Sequence, residues 1–179
     1  MIVAIALGVL LAIGVAALGL LGHRAQRQQQ QAVEAEQQAR RAGPLALPPI
    51  PAPKADTPEC AKVVAALPRE LLIGAARVPR RELVQPAPPA TVAWGDAGHD
   101  PVTARCGMDA PSELTPSSQL AEVSGVSWFE IREGDTSTWL AVDRPVYVAV
   151  TVPEGSGTGP VQDISAILRN TLPKKPVFG

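Results

Sequence analysis

The first 22 residues, Met1 to Gly22, contain no charged or strongly polar side chain. At about 1.5 Å of rise per residue, a helix of this length spans about 33 Å, which is enough to cross a hydrocarbon core of about 30 Å. A helix that is apolar on every side is unusual in a small soluble domain. The sequence therefore predicts a single transmembrane helix over residues 1–22, with the rest of the chain on one side of a cell membrane.

A cleaved signal peptide is the alternative for this segment. Such a peptide carries a basic start, a shorter apolar stretch and a small-x-small cleavage site. The segment begins without Lys or Arg, and the residues after His23 offer no clear cleavage site. We therefore expect an uncleaved anchor.

The side of the membrane on which the domain lies is predicted by two signals that disagree. Four arginines, Arg24, Arg27, Arg40 and Arg41, follow the span, and the positive-inside rule would place them in the cytoplasm. Cys60 and Cys106 favour the outside, because disulfides persist in oxidising compartments. We expect the domain to face the extracytoplasmic side; a cytoplasm-facing regulator is the alternative.

Three segments of different composition follow the anchor. Residues 23–42 are almost entirely Gln, Ala, Glu and Arg, which favour a solvated helical stalk without an apolar face. Residues 43–58 contain six of the 19 prolines, which predicts a semi-rigid polyproline II spacer of about 50 Å. Residues 59–179 are long enough for one small folded domain.

The domain is predicted to begin with a helix, because Thr57 and Pro58 form a typical helix start. An apolar face follows at helical spacing, and Pro68 ends or bends the helix, with Leu71–Ile73 continuing the apolar pattern. Residues 79–89 are interpreted as a loop or an edge strand. Strand candidates come next, at Thr91–Trp94 and Val102–Met108, followed by irregular chain over Asp109–Ala121.

The clearest strand signals lie in the last third of the chain. Residues 126–132 and 138–143 flank a turn and predict a hairpin. Valines then alternate with other residues over Val146–Val152, so the valine face is expected in the core. Val161–Leu172 follows as an amphipathic helix. We predict an α+β domain, with a meander of antiparallel strands and helices from both ends laid over it.

The two cysteines, Cys60 and Cys106, are predicted to form a structural disulfide. They lack the C-x-x-C spacing of redox enzymes and a second pair for a structural metal site, so we predict no metal and no cofactor. In the chain-entropy model, a bridge closing a loop of this length contributes about 4 kcal/mol.

Asp96, His99 and Asp100 form a compact group of carboxylates and imidazole. Such a group suits a metal or a ligand, but Asp and Gly also form turns through their own backbone hydrogen bonds, and the turn is favoured. A hydrolase would need to use His99, and the chain has no G-x-S-x-G motif. Asp96, His99 and Arg105 are kept as weak ligand-binding candidates, and no catalytic residue is assigned.

Arg105 has two interpretations. Together with Arg77, Arg80 and Arg81 it could bind an anion, or it could pair with Asp96 or hold backbone carbonyls in a structural role. The three tryptophans, Trp94, Trp128 and Trp139, are more often packing residues than sugar platforms.

Charge and motifs exclude other functions. The net charge of −1 gives no basic face for nucleic acid. The glycine-rich stretch Glu154–Pro160 lacks the Gly-Lys-Ser/Thr ending of a phosphate loop, so it predicts a turn and no nucleotide.

Several short motifs of this domain occur together in one known family. The order Cys60, Leu67-Pro68, Trp94-Gly95-Asp96, Arg105-Cys106-Gly107 and Gly125-Val126-x-Trp128, before the valine strand and closing helix, resembles a family of actinobacterial membrane-anchored envelope proteins, domain-of-unknown-function family 3515. The resemblance implies an actinobacterial envelope location and supports the disulfide. It brings no activity, cofactor or catalytic residue.

The sequence thus favours a non-enzymatic, single-pass membrane module that faces the extracytoplasmic side. Its predicted partners are the membrane, through residues 1–22, and an envelope protein or cell-wall ligand. The alternative is an envelope hydrolase or transferase that uses Asp96, His99 and Arg105.

Overall fold

The structure, a computed structural model, describes residues 26–39 and 41–178, which fall into two compact units divided after Arg40. In the first unit, residues 26–39 are helical (α1) with exposed side chains. Among the described residues, no helix combines the length and apolar character needed to span a bilayer. The predicted transmembrane helix, residues 1–22, lies outside the described residues.

Helix α2, Pro58–Ala66, begins where the sequence predicted. The Thr57 hydroxyl accepts a hydrogen bond from the backbone N–H of Cys60 at 3.4 Å, so Thr57 caps the helix. Cys60 and Val63 are fully buried, and the helix ends before Leu67, whose N–H still donates to the Val63 carbonyl.

Eight strands form one antiparallel sheet in the order β1-β2-β3-β4-β8-β7-β6-β5 within the described residues. They are Glu70–Ile73 (β1), Ala76–Arg81 (β2), Thr91–Trp94 (β3), Val102–Met108 (β4), Ala121–Val123 (β5), Val126–Glu133 (β6), Thr136–Ala141 (β7) and Tyr147–Pro153 (β8). The predicted antiparallel sheet is confirmed, but it consists of two four-stranded meanders joined by the pairing of β4 with β8.

The hairpin of β1 and β2 is the main element that the sequence analysis missed. Pro79 lies inside β2, and proline cannot donate a ladder hydrogen bond. The strand accommodates it because β2 changes partner there: Pro79 is the last residue opposite β1, and Arg80 is the first opposite β3.

The main core lies between one face of the sheet and the two helices α2 and α3, Gly159–Thr171. Val148, Val150 and Val152 of β8 are buried on this face, as predicted from their alternation. The predicted stripe of α3 is also confirmed, since Val161, Ile164, Leu168 and Leu172 are all buried. These side chains belong to one cluster with Val63 and Cys60 of α2.

The opposite face of the sheet carries a smaller apolar cluster around Leu140, Val142 and Ala149. Leu114, from the irregular segment after β4, and Val177, from the C-terminal tail, pack against it.

The proline-rich segment, predicted as a semi-rigid spacer, lies against the domain. Leu45 pairs with Leu83 in a parallel bridge, and the backbone N–H of Lys54 donates to the Gly107 carbonyl at 3.1 Å. The second compact unit begins at Arg41 and therefore includes this segment. A polyproline-like backbone has no internal hydrogen bonds, so its amides and carbonyls are free to bond to the neighbouring chain.

Candidate functional site

The turn between β3 and β4 is built around the Asp96 carboxylate. Its Oδ1 accepts hydrogen bonds from the backbone N–H groups of Gly98 at 2.8 Å and His99 at 2.9 Å, and lies 2.9 Å from His99 Nδ1. The hydrogen bond with the His99 side chain, followed by that from Gly98, lowers the pKa of Asp96 below its ordinary value of 3.8. This is the predicted turn, in which a carboxylate organises its own loop.

Arg105 lies elsewhere in the sheet. Its register partner on β3 is Thr91, whereas Trp94, which leads into the turn, pairs with Val102. Arg105 lies three residues beyond Val102 along β4, which corresponds to a distance of about 10 Å from the turn end of the strand. The guanidinium donates from Nη1 to the Pro48 carbonyl at 3.1 Å, and burial lowers its pKa. Asp96 and His99 come together in the structure, and Arg105 does not join them.

The other arginines of the suggested anion patch each bind a different group. Arg77 pairs with Asp163 at 3.1 Å, and Arg81 donates from Nε to the Gly43 carbonyl at 2.7 Å. Arg80 donates from Nη2 to the Leu67 carbonyl at 2.6 Å, at the C-terminal end of α2. Arginine fits the free carbonyls at a helix C-terminus, so Arg80 has a structural role.

Three consecutive residues of β4 fasten the preceding chain to the sheet. Arg105 holds Pro48, and Cys106 forms the predicted disulfide with Cys60, with the two Cα atoms 5.5 Å apart. Gly107 has a φ of +89°, and a Cβ there would lie 2.3 Å from the backbone N of Ala55. The Arg105-Cys106-Gly107 triplet is therefore a structural unit, which we call the clasp.

A buried ion pair near the same end of the sheet has no counterpart in the sequence analysis. Arg144 Nη1 lies 2.8 Å from Asp143 Oδ1, and both side chains are almost completely buried. Arg144 also donates to the carbonyls of Asp143 and Gly125, both at 2.9 Å. The backbone N–H of Lys175 donates to the Asp143 carbonyl at 2.9 Å, so the pair also holds the C-terminal tail.

The opposite end of the sheet is open. There, among the described residues, three cavities adjoin one another, with volumes of about 450, 390 and 180 Å³. They lie between four segments: the turn containing His99 and Asp100, the β1–β2 turn at Gly74, the β6–β7 turn at Asp135, and the loop after β8. Glu154 lines all three cavities. We call this surface the loop-end trough.

The largest cavity of the trough has an aromatic wall. Trp139 of β7 is half-buried and lines it beside Glu130 and Arg132 of β6. Arg132 donates from Nε to Glu130 Oε1 at 2.9 Å and from Nη2 to Oε2 at 3.2 Å. Glu130 is the register partner of Trp139, so the paired side chains and the indole line the same cavity.

The cavity exists because α3 covers only part of the sheet face. On β6, Trp128 lies beneath the helix and donates from its indole nitrogen to Ser165 Oγ at 2.9 Å. Glu130 and Arg132 follow at alternate positions on the same face, and the Arg132 side chain is 76% exposed. The face thus changes along β6 from core under α3 to a polar wall beyond it.

The charge of the trough is negative. Asp100, Asp135 and Glu154 are exposed carboxylates, and Glu130 is balanced by Arg132. Among the described residues, however, no three His, Cys, Asp or Glu side chains are placed to hold a metal ion. Glu154 borders all three cavities, and Asp100 and Asp135 border two each, so hydrogen-bond acceptors occur along the whole trough.

Sequence reasoning reached only one side of the trough, at His99 and Asp100. The residues of the other side come from loops and strands far apart in the chain. One signal was present in the series Trp128-x-Glu130-x-Arg132. Alternate residues of a strand lie on the same face, so two charged residues follow Trp128 on its face of β6. This pattern indicates that the apolar core ends after Trp128.

The family resemblance is tested by comparison with known proteins. The profile of the family described as Protein of unknown function (DUF3515) matches residues 5–177. No curated protein and no solved structure matches this chain. Because the match covers nearly the whole sequence, including the clasp and the trough, the chain belongs to the DUF3515 family.

Proposed function

We propose that this protein is a membrane-anchored, extracytoplasmic binding module of an actinobacterial cell envelope, and that the loop-end trough holds its envelope ligand. The observation that carries the proposal is the trough itself. Its three adjoining cavities are lined by a half-buried tryptophan, a fixed Glu–Arg pair and exposed carboxylates. Cavities of about 300–1,000 Å³ with an aromatic wall and a few placed polar groups are typical ligand sites.

The extracytoplasmic location is supported by the disulfide. Cys60 and Cys106 are both almost fully buried and joined, and such bonds persist in oxidising compartments. The apolar residues 1–22 supply the anchor in this proposal, and the helical residues 26–39 follow it in the sequence before the domain begins.

Binding is favoured over hydrolysis or group transfer by the geometry of the residues that an enzyme would use. Asp96 Oδ1 is occupied by three contacts within its own turn, and Arg105 holds the Pro48 carbonyl at a distance from that turn. An enzyme that used these three residues would need them around one reacting atom. Asp96 and His99 lie together, but Arg105 is held away from them.

A retention assay tests the binding role. Full-length protein in detergent micelles is mixed with an isolated, detergent-washed envelope fraction, and the bound protein is quantified after sedimentation. Wild type is expected to be retained, and Glu154→Arg to lose most of its retention because it places a long cation in all three cavities. Glu122→Arg is the matched control, since Glu122 is an exposed carboxylate on β5, outside the trough. Equal retention of the two variants would overturn the assignment of the trough.

The side of the membrane is tested by labelling. Gln29 is exposed and helical, so Gln29→Cys adds one accessible thiol to a chain whose native cysteines are joined. A membrane-impermeant maleimide is expected to label this variant in intact cells. Labelling only after lysis would place the domain in the cytoplasm and overturn the proposed location.

A further inference from the structure

We infer that the ligand of the loop-end trough is an uncharged polysaccharide chain, which lies with one sugar ring against Trp139. This inference rests on the proposed binding function and names the chemical class of the ligand. It follows from the state of the tryptophan, the adjacent ion pair, the charge of the trough and its elongated shape.

Trp139 differs from the other two tryptophans. Trp94 and Trp128 are fully buried, and their indole nitrogens donate to the Pro68 carbonyl at 3.0 Å and to Ser165 Oγ at 2.9 Å. Trp139 packs partly against the core and partly lines the cavity, and among the described residues its indole N–H has no protein acceptor. An amphipathic ring of this kind offers an apolar surface and a donor to the same ligand. A sugar ring, with C–H groups on its faces and hydroxyls at its rim, matches both.

The Glu130–Arg132 pair supplies the polar contacts beside the indole. Its two hydrogen bonds fix the carboxylate and guanidinium as one nearly neutral unit, with donors and acceptors side by side. Adjacent sugar hydroxyls can donate to such a carboxylate and accept from such a guanidinium at the same time. Because the pair is already formed, binding requires little further ordering of these two side chains.

The negative charge of the trough makes an anionic polymer an unfavourable ligand. Outside the Glu130–Arg132 pair, the trough is lined by the carboxylates Asp100, Asp135 and Glu154, and by no further Lys or Arg of the described residues. A polymer of phosphates or uronates would meet like charge along the trough, which is unfavourable. Carboxylates are good acceptors for the many hydroxyl donors of a neutral glycan.

The shape favours a chain of sugars over a single sugar. The largest cavity of the trough, about 450 Å³, is sufficient for a small ligand. The trough continues past Glu154 to the cavity at His99 and Asp100. A longer ligand therefore gains contacts beyond those made at Trp139.

An extended peptide is a poorer fit. Peptides that bind to sheets usually add a strand to an exposed edge, through main-chain hydrogen bonds. The edge strands of this sheet are β1 and β5, and β1 borders the trough only through its last residue, Ile73. Most of the trough is lined by the inner strands β6, β7 and β8 and by loops.

The test uses full-length protein in detergent micelles and four kinds of probe. Neutral oligosaccharides (chitotetraose, a galactan, an arabinan and a mannan fragment), the polyanion polygalacturonate, the polycation spermine and a neutral tetrapeptide are titrated by calorimetry. At least one neutral oligosaccharide is expected to bind, with affinity rising from dimer to tetramer. Because Trp94 and Trp128 are buried, acrylamide quenching reports mainly on Trp139, and the bound glycan is expected to reduce it.

Variants locate the binding at the indole. Trp139→Ala is expected to weaken the affinity for the glycan about tenfold or more, and Trp139→Phe to weaken it by less, since a ring is kept. Phe129→Ala is the matched control: Phe129 is a half-buried aromatic residue of the same hairpin that packs in the cluster on the other face. Its expected effect on affinity is less than about twofold.

The outcomes separate this inference from the proposed function. If the envelope fraction retains the protein through Glu154, but only polygalacturonate, spermine, the tetrapeptide or no probe binds, the glycan inference fails and the binding function stands. If a neutral glycan binds and Trp139→Ala leaves its affinity unchanged, the inference also fails. If a glycan binds through Trp139 but the envelope fraction does not retain the protein, the envelope role fails and the glycan site stands.

Discussion

The end of the sheet at the clasp and the end at the loop-end trough are stabilised in different ways. At the clasp, the chain is fixed by a disulfide, by a glycine in close contact with Lys54 and Ala55, and nearby by the buried Asp143–Arg144 pair. At the trough, the links among the described residues are hydrogen bonds: Asp96 organises its own turn, and the backbone N–H groups of Gly74 and Glu154 donate to the Ser156 and Asp135 carbonyls, both at 2.7 Å. The carboxylates Asp100, Asp135 and Glu154 are exposed there. The difference shows that strong cross-links lie away from the surface proposed to bind ligand, where exposed carboxylates and a half-buried tryptophan can be kept.

The largest expected effect is loss of the disulfide. Cys60→Ala/Cys106→Ala should lower the free energy of unfolding by about 4 kcal/mol, because the unfolded chain regains the freedom of the closed loop. Chemical unfolding of the wild type with and without reductant provides the matched measurement. A reductant-insensitive midpoint would show that the clasp does not depend on its covalent bond.

Asp143→Asn is expected to lower the free energy of unfolding by about 3 kcal/mol, because it leaves the Arg144 guanidinium buried without its counter-charge. The double variant Asp143→Asn/Arg144→Met should recover part of this loss, because it removes the unpaired charge as well. Urea unfolding of the three proteins measures both steps. If the double variant is less stable than the single one, the guanidinium is held by its carbonyl acceptors rather than by the carboxylate.

Alanine substitution of one glycine at each end of the sheet compares the packing of the two ends directly. Gly107 and Gly155 have φ values of +89° and +80°, so alanine is strained at both positions. A Cβ at Gly107 would meet the Ala55 backbone at 2.3 Å, whereas at Gly155, in the trough, it meets nothing within 4 Å. Gly155→Ala should therefore lower the free energy of unfolding by about 1 kcal/mol, and Gly107→Ala should lower it by about 2–3 kcal/mol or more. Equal melting temperatures would remove the packing contrast between the two ends.

The smallest effect is expected at Asp96. A carboxyl whose pKa is lowered on folding stabilises the protein above the unfolded pKa, and the contribution is lost as pH falls through the folded value. Asp96→Asn should therefore lower the melting temperature slightly, by about 2 °C or less for so exposed a group, at neutral pH. The difference from wild type should vanish as the pH falls below 3.8. Thermal unfolding of both proteins between pH 3 and pH 7 checks this, and a difference that grows in acid would contradict it.

How much of the fold could be predicted depended on local regularity. The alternating valines of β8 and the 3.6-residue spacing of α3 each identify a buried face without knowledge of the rest of the chain. The β1–β2 hairpin gave no such signal, because β2 has Arg77, Arg80 and Arg81 around a proline and only Val78 is fully buried. Its arginines are used by α2, Asp163 and Gly43, which are distant in sequence.

The candidate site was predictable only at one end for the same reason. The turn at Asp96 is a local structure, and its residues were identified from their spacing. Trp139 becomes different from Trp94 and Trp128 only because α3 does not extend over it, and the position of that helix is a tertiary property. The docking of residues 43–55 was likewise hidden, since prolines specify an extended backbone but not what it lies against.

The docked proline-rich segment has a mechanical consequence. Tension applied to the chain before Gly43 would first act on the hydrogen bonds of the proline-rich segment, which can detach one after another. They lie at Gly43, Leu45, Pro48 and Lys54. Once these have released, the force reaches Cys60 and passes through the disulfide into Cys106. Cys106 lies on β4, an inner strand paired on both sides, so the load is shared by two hydrogen-bonded ladders. The segment can thus extend under tension until the disulfide prevents further extension. The force then does not pass through the opposite end of the sheet.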